Sequence, residues 1–134
     1  MSPRFLRARS AAAFTFLSRY LSWLNINSAY NSVISSYTSS TFVAIPDGGK
    51  VIKIITAVQG AISGANAAIT FEIGGTAVTG GGITVAHSGS AAGTVDTAEP
   101  TAANQVLEDG TIEMITDGAS TGAKKLVVTF VIRR

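Results

Sequence analysis

The sequence holds one histidine and no cysteine, and those two counts bound most of the reactive chemistry open to it. His87 ends the alternating run Ile83-Thr84-Val85-Ala86-His87. A zinc site gathers several N, S or O ligands in a tetrahedral array. One imidazole among scattered acids does not supply that set, so His87 reads as a strand-end or interface residue. The acids Asp96, Glu99, Glu108, Asp109, Glu113 and Asp117 lie on or beside turn signals. Calcium takes about six to eight oxygens, often from an aspartate-dense loop. Neither Glu108-Asp109-Gly110 nor Asp117-Gly118 is that dense. Ser88 adjoins His87, but neighbours on a strand point to opposite faces, so they do not form a nucleophile–base pair. The glycines match neither a P-loop nor a dinucleotide-binding pattern. Gly80-Gly81-Gly82 instead supplies positive φ for a chain reversal. The expectation is no enzyme: no catalytic, cofactor-binding or metal residues, no cofactor, and no small-molecule substrate.

What remains are residues suited to interaction. Arg4, Arg7, Arg9 and Arg19 precede every acid in the chain, the first of which is Asp47. Trp23, Tyr30 and Tyr37 are of the types that anchor interfaces, and equally of the types that fill a core. The net charge of +2 hides this asymmetry. Four cations give only a modest attraction to phosphates, and the body after residue 46 is slightly acidic, so nucleic acid is not the expected partner.

These residues need elements to hold them. At about 100° per residue, Phe5, Ala12, Ala13, Phe16, Leu17, Tyr20, Leu21, Trp23 and Leu24 fall within half a helical wheel. Arg4, Arg7, Thr15, Ser18, Arg19 and Ser22 take the other half, with Arg9 and Ser10 as exceptions. Pro3 suits a helix start, and Asn25 and Asn27 suit a stop. The spacing therefore predicts an amphipathic helix over 4–24. The Ser- and Asn-rich stretch 25–41 fits a weaker second helix or an extended tether. The domain division that follows is a helical arm and tether over 1–37 and a β-sandwich over 38–134. The arm has three readings: an assembly arm, a membrane-surface helix, or a cover for the body's own core. The assembly arm is expected first, and membrane binding ranks below it. Its arginine- and serine-rich, acid-free character also resembles a mitochondrial targeting segment.

After residue 41 the period changes to two. In KVIKIITAV, Ile52, Ile54 and Val58 share a face with Thr56; in ITFEIG, Ile69, Phe71 and Ile73 oppose Thr70 and Glu72. Gly74-Gly75 offers a two-residue hairpin turn into 76–79. Residues 88–104 read as loop with short strand pieces, and Asp109-Gly110 as a turn before a strand over 111–116. The last strand, 124–134, points Leu126, Val128, Phe130 and Ile132 inward. Its other face, Val127, Thr129 and Val131, is also largely apolar, as for a strand covered on both sides. Some seven or eight short antiparallel strands predict an all-β sandwich or jelly roll. Only 13% of residues are charged, about half the usual share, which suits equally faces covered in an assembly and a monomer with a Thr/Ser/Ala surface.

Residues 45–121 resemble a group of small tailed-phage virion proteins, the Gly/Ala/Thr-rich jelly rolls that act as capsid decoration, cement or head-fibre proteins. The likeness lies in the opening GKV strand, GAISGANAAIT, IGGTAVTGG, the SGSAAG turn, and PTAAN followed by a Gly-ended turn and Thr-Ile-Glu. It implies a homotrimer on the capsid surface, bound to the major capsid protein across capsomer joints. The competing expectations are a fibre or spike module that reads a host glycan through the loops at 60–66, 88–104 and 117–123, and a peripheral membrane protein using the basic helix.

Overall fold

A computed structural model of the chain describes residues 25–34 and 38–134. Its strands are β1 (Asn25–Ile34), β2 (Ser39–Ile45), β3 (Gly49–Val58), β4 (Ala67–Ile73), β5 (Thr76–Ala77), β6 (Ile83–Val85), β7 (Val95–Ala98), β8 (Gln105–Val106), β9 (Gly110–Thr116) and β10 (Lys124–Arg133). They form two five-stranded sheets. Sheet A has the order β1-β10-β3-β7, with β8 also on β3; sheet B has the order β2-β9-β4-β5, with β6 also on β4. Every pairing is antiparallel. From β1 to β4 each connection crosses from one sheet to the other, as does the final step from β9 to β10.

The two sheets share one core. Strand by strand, alternate residues turn inward because the pleat repeats every two. β10 contributes Leu126, Val128, Phe130 and Ile132, all at 1% exposure or less, and β9 contributes Ile112 and Met114. Phe71 of β4 meets Phe130 of β10 edge to face, with ring centroids 5.6 Å apart and planes at 88°. Such an arrangement sets the positive edge of one ring against the negative face of the other. This contact joins sheet B to sheet A at the centre of the sandwich. The expected inward positions on β4 and β10 are as observed, with Ile73 partly buried against the core. The Gly74-Gly75 turn is also as expected: φ is 58° and 77° at the two glycines, and Ile73 pairs with Thr76. Two successive positive φ values match the right-handed twist of the flanking strands.

Two expectations are corrected. Ile52 does not share the inward face of Ile54, Thr56 and Val58. Val131 pairs with Lys53 and Ile132 with Val51, so Ile52 is an extra residue in β3. This bulge resets the alternation: Val51 is buried at 1% and Ile52 is half-buried. The second correction concerns 25–34, expected as a weak helix or tether. This stretch is a strand, paired with β10 from Asn25 opposite Ile132 to Ile34 opposite Lys124. Ser and Asn have little intrinsic preference for strands, but such preferences yield to pairing and burial. Here the free edge of a ten-residue strand offers the pairing, and Ile34 is fully buried. An offset at Ala29 is absorbed between Ser28 and Tyr30. The predicted helix over 4–24 lies outside the described residues.

The strand character of 25–34 has a measurable consequence. A chain lacking residues 1–37 loses β1 and exposes the edge of β10, whereas one lacking 1–24 keeps both. Burying one large aliphatic side chain such as Ile34 contributes about 1.5–3 kcal/mol. The shorter chain is therefore expected to be less stable than the longer one by at least about 2 kcal/mol in urea denaturation. Equal midpoints and slopes for the two truncations would contradict the placement of β1.

Candidate interaction surfaces

Three loops meet at one end of the sandwich: the turn after β3, the stretch before β7, and the turn before β10. The backbone N–H of Ile62 donates to Ser90 Oγ at 3.0 Å. The N–H of Thr121 donates to the Ser63 carbonyl at 2.9 Å, and the Ser63 and Thr121 hydroxyls lie 3.2 Å apart. Ser120 is fully buried beneath them, and its hydroxyl donates to the Ser63 carbonyl at 3.2 Å. Gly64 allows the approach. Its φ is +83°, and a Cβ there would fall 2.5 Å from Thr121 Oγ1. The loops at 60–66 and 117–123 and the part of 88–104 that precedes β7 thus meet at one end, as the grouping of these loops in the sequence reading allowed; the rest of 88–104 runs along β3 to the other end.

His87 borders this end. Asn66 Oδ1 accepts from the His87 backbone N–H at 3.0 Å and lies 2.8 Å from its Nδ1. The imidazole is exposed and anchored by an amide, and among the described residues it forms no ion pair with a carboxylate. Among the described residues, no three of His, Cys, Asp and Glu are grouped as a metal site. The opposite end carries an open hollow of about 410 Å³ lined by Gly48, Gly49, Gln105, Val106, Leu107, Glu108 and Arg134. Leu107 is 78% exposed at its rim, and Arg134 is paired with Asp47. Beside it Asn104, buried among β3 and the 100–104 turn, donates from Nδ2 to the carbonyls of Val51 at 2.6 Å and Pro100 at 3.3 Å.

The broad surfaces are the outer faces of the two sheets. On sheet A, Val127, Ala57 and Val95 form one cross-strand row, and Thr129, Ile55 and Thr97 the next. Val127, Thr129, Val131, Ile55 and Ala57 are half-buried by their neighbours, and Val95 is 56% exposed. Within the described residues, no second layer covers this side of β10 of the kind its apolar second face led one to expect. Lys50, Lys53, Lys125 and Arg133 share the face. On sheet B the outward residues are Phe42, Glu113, Glu72 and Ala77 in one row, with Ile115 and Thr70 in the row beside it. Phe42 is 62% exposed.

Of the interaction residues read from the sequence, Arg4, Arg7, Arg9, Arg19, Trp23 and Tyr37 lie outside the described residues. Tyr30 lies in β1, with its backbone opposite Val128. Phe42 and the Glu72–Glu113 pair were not singled out from the sequence. The available signal was an aromatic and two carboxylates at outward positions of alternating strands.

No protein-family model matches the chain, and no curated protein matches it in sequence. Among solved structures, it is similar to the crystal structure of FLHE at 10% identity and a TM-score of 0.43, over 84% of this chain and 96% of that one. It is similar to the P-domain of Macrobrachium rosenbergii nodavirus at 14% identity and a TM-score of 0.37, over 82% of this chain and 92% of that one. The endospore appendages of Bacillus, described as disulfide-linked pili, align at 16% identity and a TM-score of 0.39, over 83% of this chain and 88% of that one.

The junction of loops depends on Gly64. Gly64→Ala forces a side chain into a positive-φ position against Thr121, and is expected to destabilise the fold by more than about 1 kcal/mol. Amide hydrogen exchange at Ile62 and Thr121 should accelerate, while exchange in β10 falls only by the global loss. Unchanged protection at both loop amides would show that the contact is not what orders the loops.

Proposed function

We propose that the chain is a structural virion protein: a jelly-roll subunit, acting as a trimer, that decorates a phage head by binding the lattice of the major capsid protein. The observation that carries this reading is the outer face of sheet A. In a free antiparallel sandwich the outward residues of each strand are commonly polar. Here Val127, Val131, Ile55, Ala57 and Val95 occupy outward positions around two threonines. The apolar centre of this face loses little on leaving water and contributes apolar area when covered, with Lys50, Lys53, Lys125 and Arg133 at its margins. The strand order β1-β10-β3-β7 against β2-β9-β4-β5 supports the jelly-roll reading. The stretch that resembles the phage proteins runs from the last residue of β2 to the turn before β10.

The role is mechanical. Covering about 1,000 Å² or more at each capsomer joint lowers the free energy of the closed shell relative to its parts, and requires neither catalysis nor a cofactor. The N-terminal arm, with Arg4, Arg7, Arg9, Arg19 and Trp23, is the proposed second point of attachment.

A second reading draws on the loop end, where three polar loops converge as they do in a glycan-binding tip. The segments 60–66, 88–104 and 117–123 contain no aromatic residue, so they lack the faces on which sugar rings stack. Glycan-array binding by the purified chain would reverse the ranking.

The test is made on phage particles. Heads assembled without this chain should release their DNA at a lower temperature than complete heads, and the purified chain added back should restore the difference. Restoration should weaken when Val127 and Val131 are both changed to Glu. Particles that never contain the chain by mass spectrometry would overturn the proposal.

A further inference from the structure

The outer faces of the two sheets carry opposite charge. Among the described residues, the charged side chains on the outer face of sheet A are Lys50, Lys53, Lys125 and Arg133, all cationic. On the outer face of sheet B they are Glu72 and Glu113, both anionic. The two glutamates stand directly opposite each other on β4 and β9, an arrangement that is unfavourable in an isolated sheet. The ion pair found among the described residues is Arg134–Asp47, so neither glutamate is neutralised within the described part of the chain. Phe42 lies in the same row, opposite Glu113, and is 62% exposed. Sheet A answers this arrangement. Its apolar centre, Val127, Ala57 and Val95, is flanked along β10 and β3 by Lys125 at one end and by Lys53, Lys50 and Arg133 at the other.

We propose that copies of this chain stack, the outer face of sheet A on one copy packing against the outer face of sheet B on the next. Phe42 and Ile115 then meet the valine-rich centre of sheet A, and lysines from the neighbour relieve the Glu72–Glu113 repulsion. Complementary charge suppresses the wrong pairing as well as favouring the right one: A against A sets four cations against four, and B against B sets carboxylate pairs together. The contact is therefore heterologous. Each copy in it keeps one unused face, so the assembly extends unless its geometry closes it into a ring. The stack uses the same face A on which the virion reading rests, so a given copy offers that face either to its neighbour or to the lattice; the stacking is measured without capsid protein, so its failure leaves the virion test standing.

The experiment uses the full-length chain and two variants. Glu72→Lys with Glu113→Lys disables face B; Lys53→Glu with Lys125→Glu disables face A. All four positions lie on outer faces, and circular dichroism checks that both variants fold. In sedimentation velocity at about 10 mM ionic strength, where charges act over about 30 Å, the unaltered chain should form species that grow with concentration. Each variant alone should be monomeric. Mixed in equal amounts they should associate again, because the intact A face meets an intact B face and the two reversed faces are complementary in charge as well. Added salt should dissolve the stacks. A chain that stays monomeric at all concentrations overturns the proposal, as does a variant that still associates alone or a mixture that does not combine.

A second measurement is independent of the charge variants. The chain has no cysteine, so Thr129→Cys on face A and Thr70→Cys on face B each introduce one thiol. Under mild oxidation the mixture should give the 129–70 disulfide, and neither variant alone should cross-link. Same-face disulfides would show an isologous contact and refute the stack.

Discussion

The structure depends on one packing constraint: two pleated sheets clamp a single layer of side chains whose central contact is Phe71 on Phe130. Once that contact fixes which residues of β4 and β10 point inward, the pleat fixes all their neighbours, and pairing carries the choice to the adjacent strands. The bulge at Ile52 shows how strict the coupling is. Counting back in twos from Ile54 would put Lys50 inward and Val51 outward. The extra residue moves Val51 into the core and Lys50 to solvent. An unpaired lysine in such a core would be far more costly than a local irregularity in the ladder. The bulge thus lets a basic outer face coexist with an unbroken apolar inner one.

The same constraint explains where irregular backbone is tolerated. The loop ends fall outside the sheets, and their buried polar groups have partners: Ser120 with the Ser63 carbonyl, Asn104 with those of Val51 and Pro100. A buried polar group left unpaired costs about as much as several exposed hydrogen bonds contribute. These two side chains therefore hold the loops in place more firmly than surface contacts would. Ser63, Ser90 and Thr121 then meet at one end because the strands below them are in register.

Strands with clean alternation were legible in the sequence, and β4, β9 and β10 are examples. In each, local pattern and final burial agree. β1 was not legible, because nothing in NINSAYNSVI announces a strand; the edge of β10 makes it one, and that edge is distant in sequence. The phase of β3 was misread at Ile52 because three isoleucines close together fit either face, and only the partner strand decides. The three loops were grouped in the sequence as candidate reading loops, but the contacts that join them, through Ser63, Ser90 and Thr121, depend on topology that spacing does not encode. The arginines and Trp23 remain as the sequence left them, outside the described residues.

Net charge is a poor guide to a molecule of this shape. The body from Asp47 onward carries six cations and eight acids, a balance that suggests a bland surface. The fold sorts them. Charges in the middle of a strand must face outward, so folding dictates that Lys53 and Glu113 lie on the surface, but it does not dictate their signs. A sandwich would form equally well with mixed signs on both sides, and surface ion pairs contribute too little to single-sheet stability to select between them. Four cations on one sheet and two directly opposed carboxylates on the other are therefore unexplained by the needs of the monomer. The arrangement even costs it something at Glu72 and Glu113. A pattern that the isolated fold neither requires nor gains from is best accounted for by what the two faces touch.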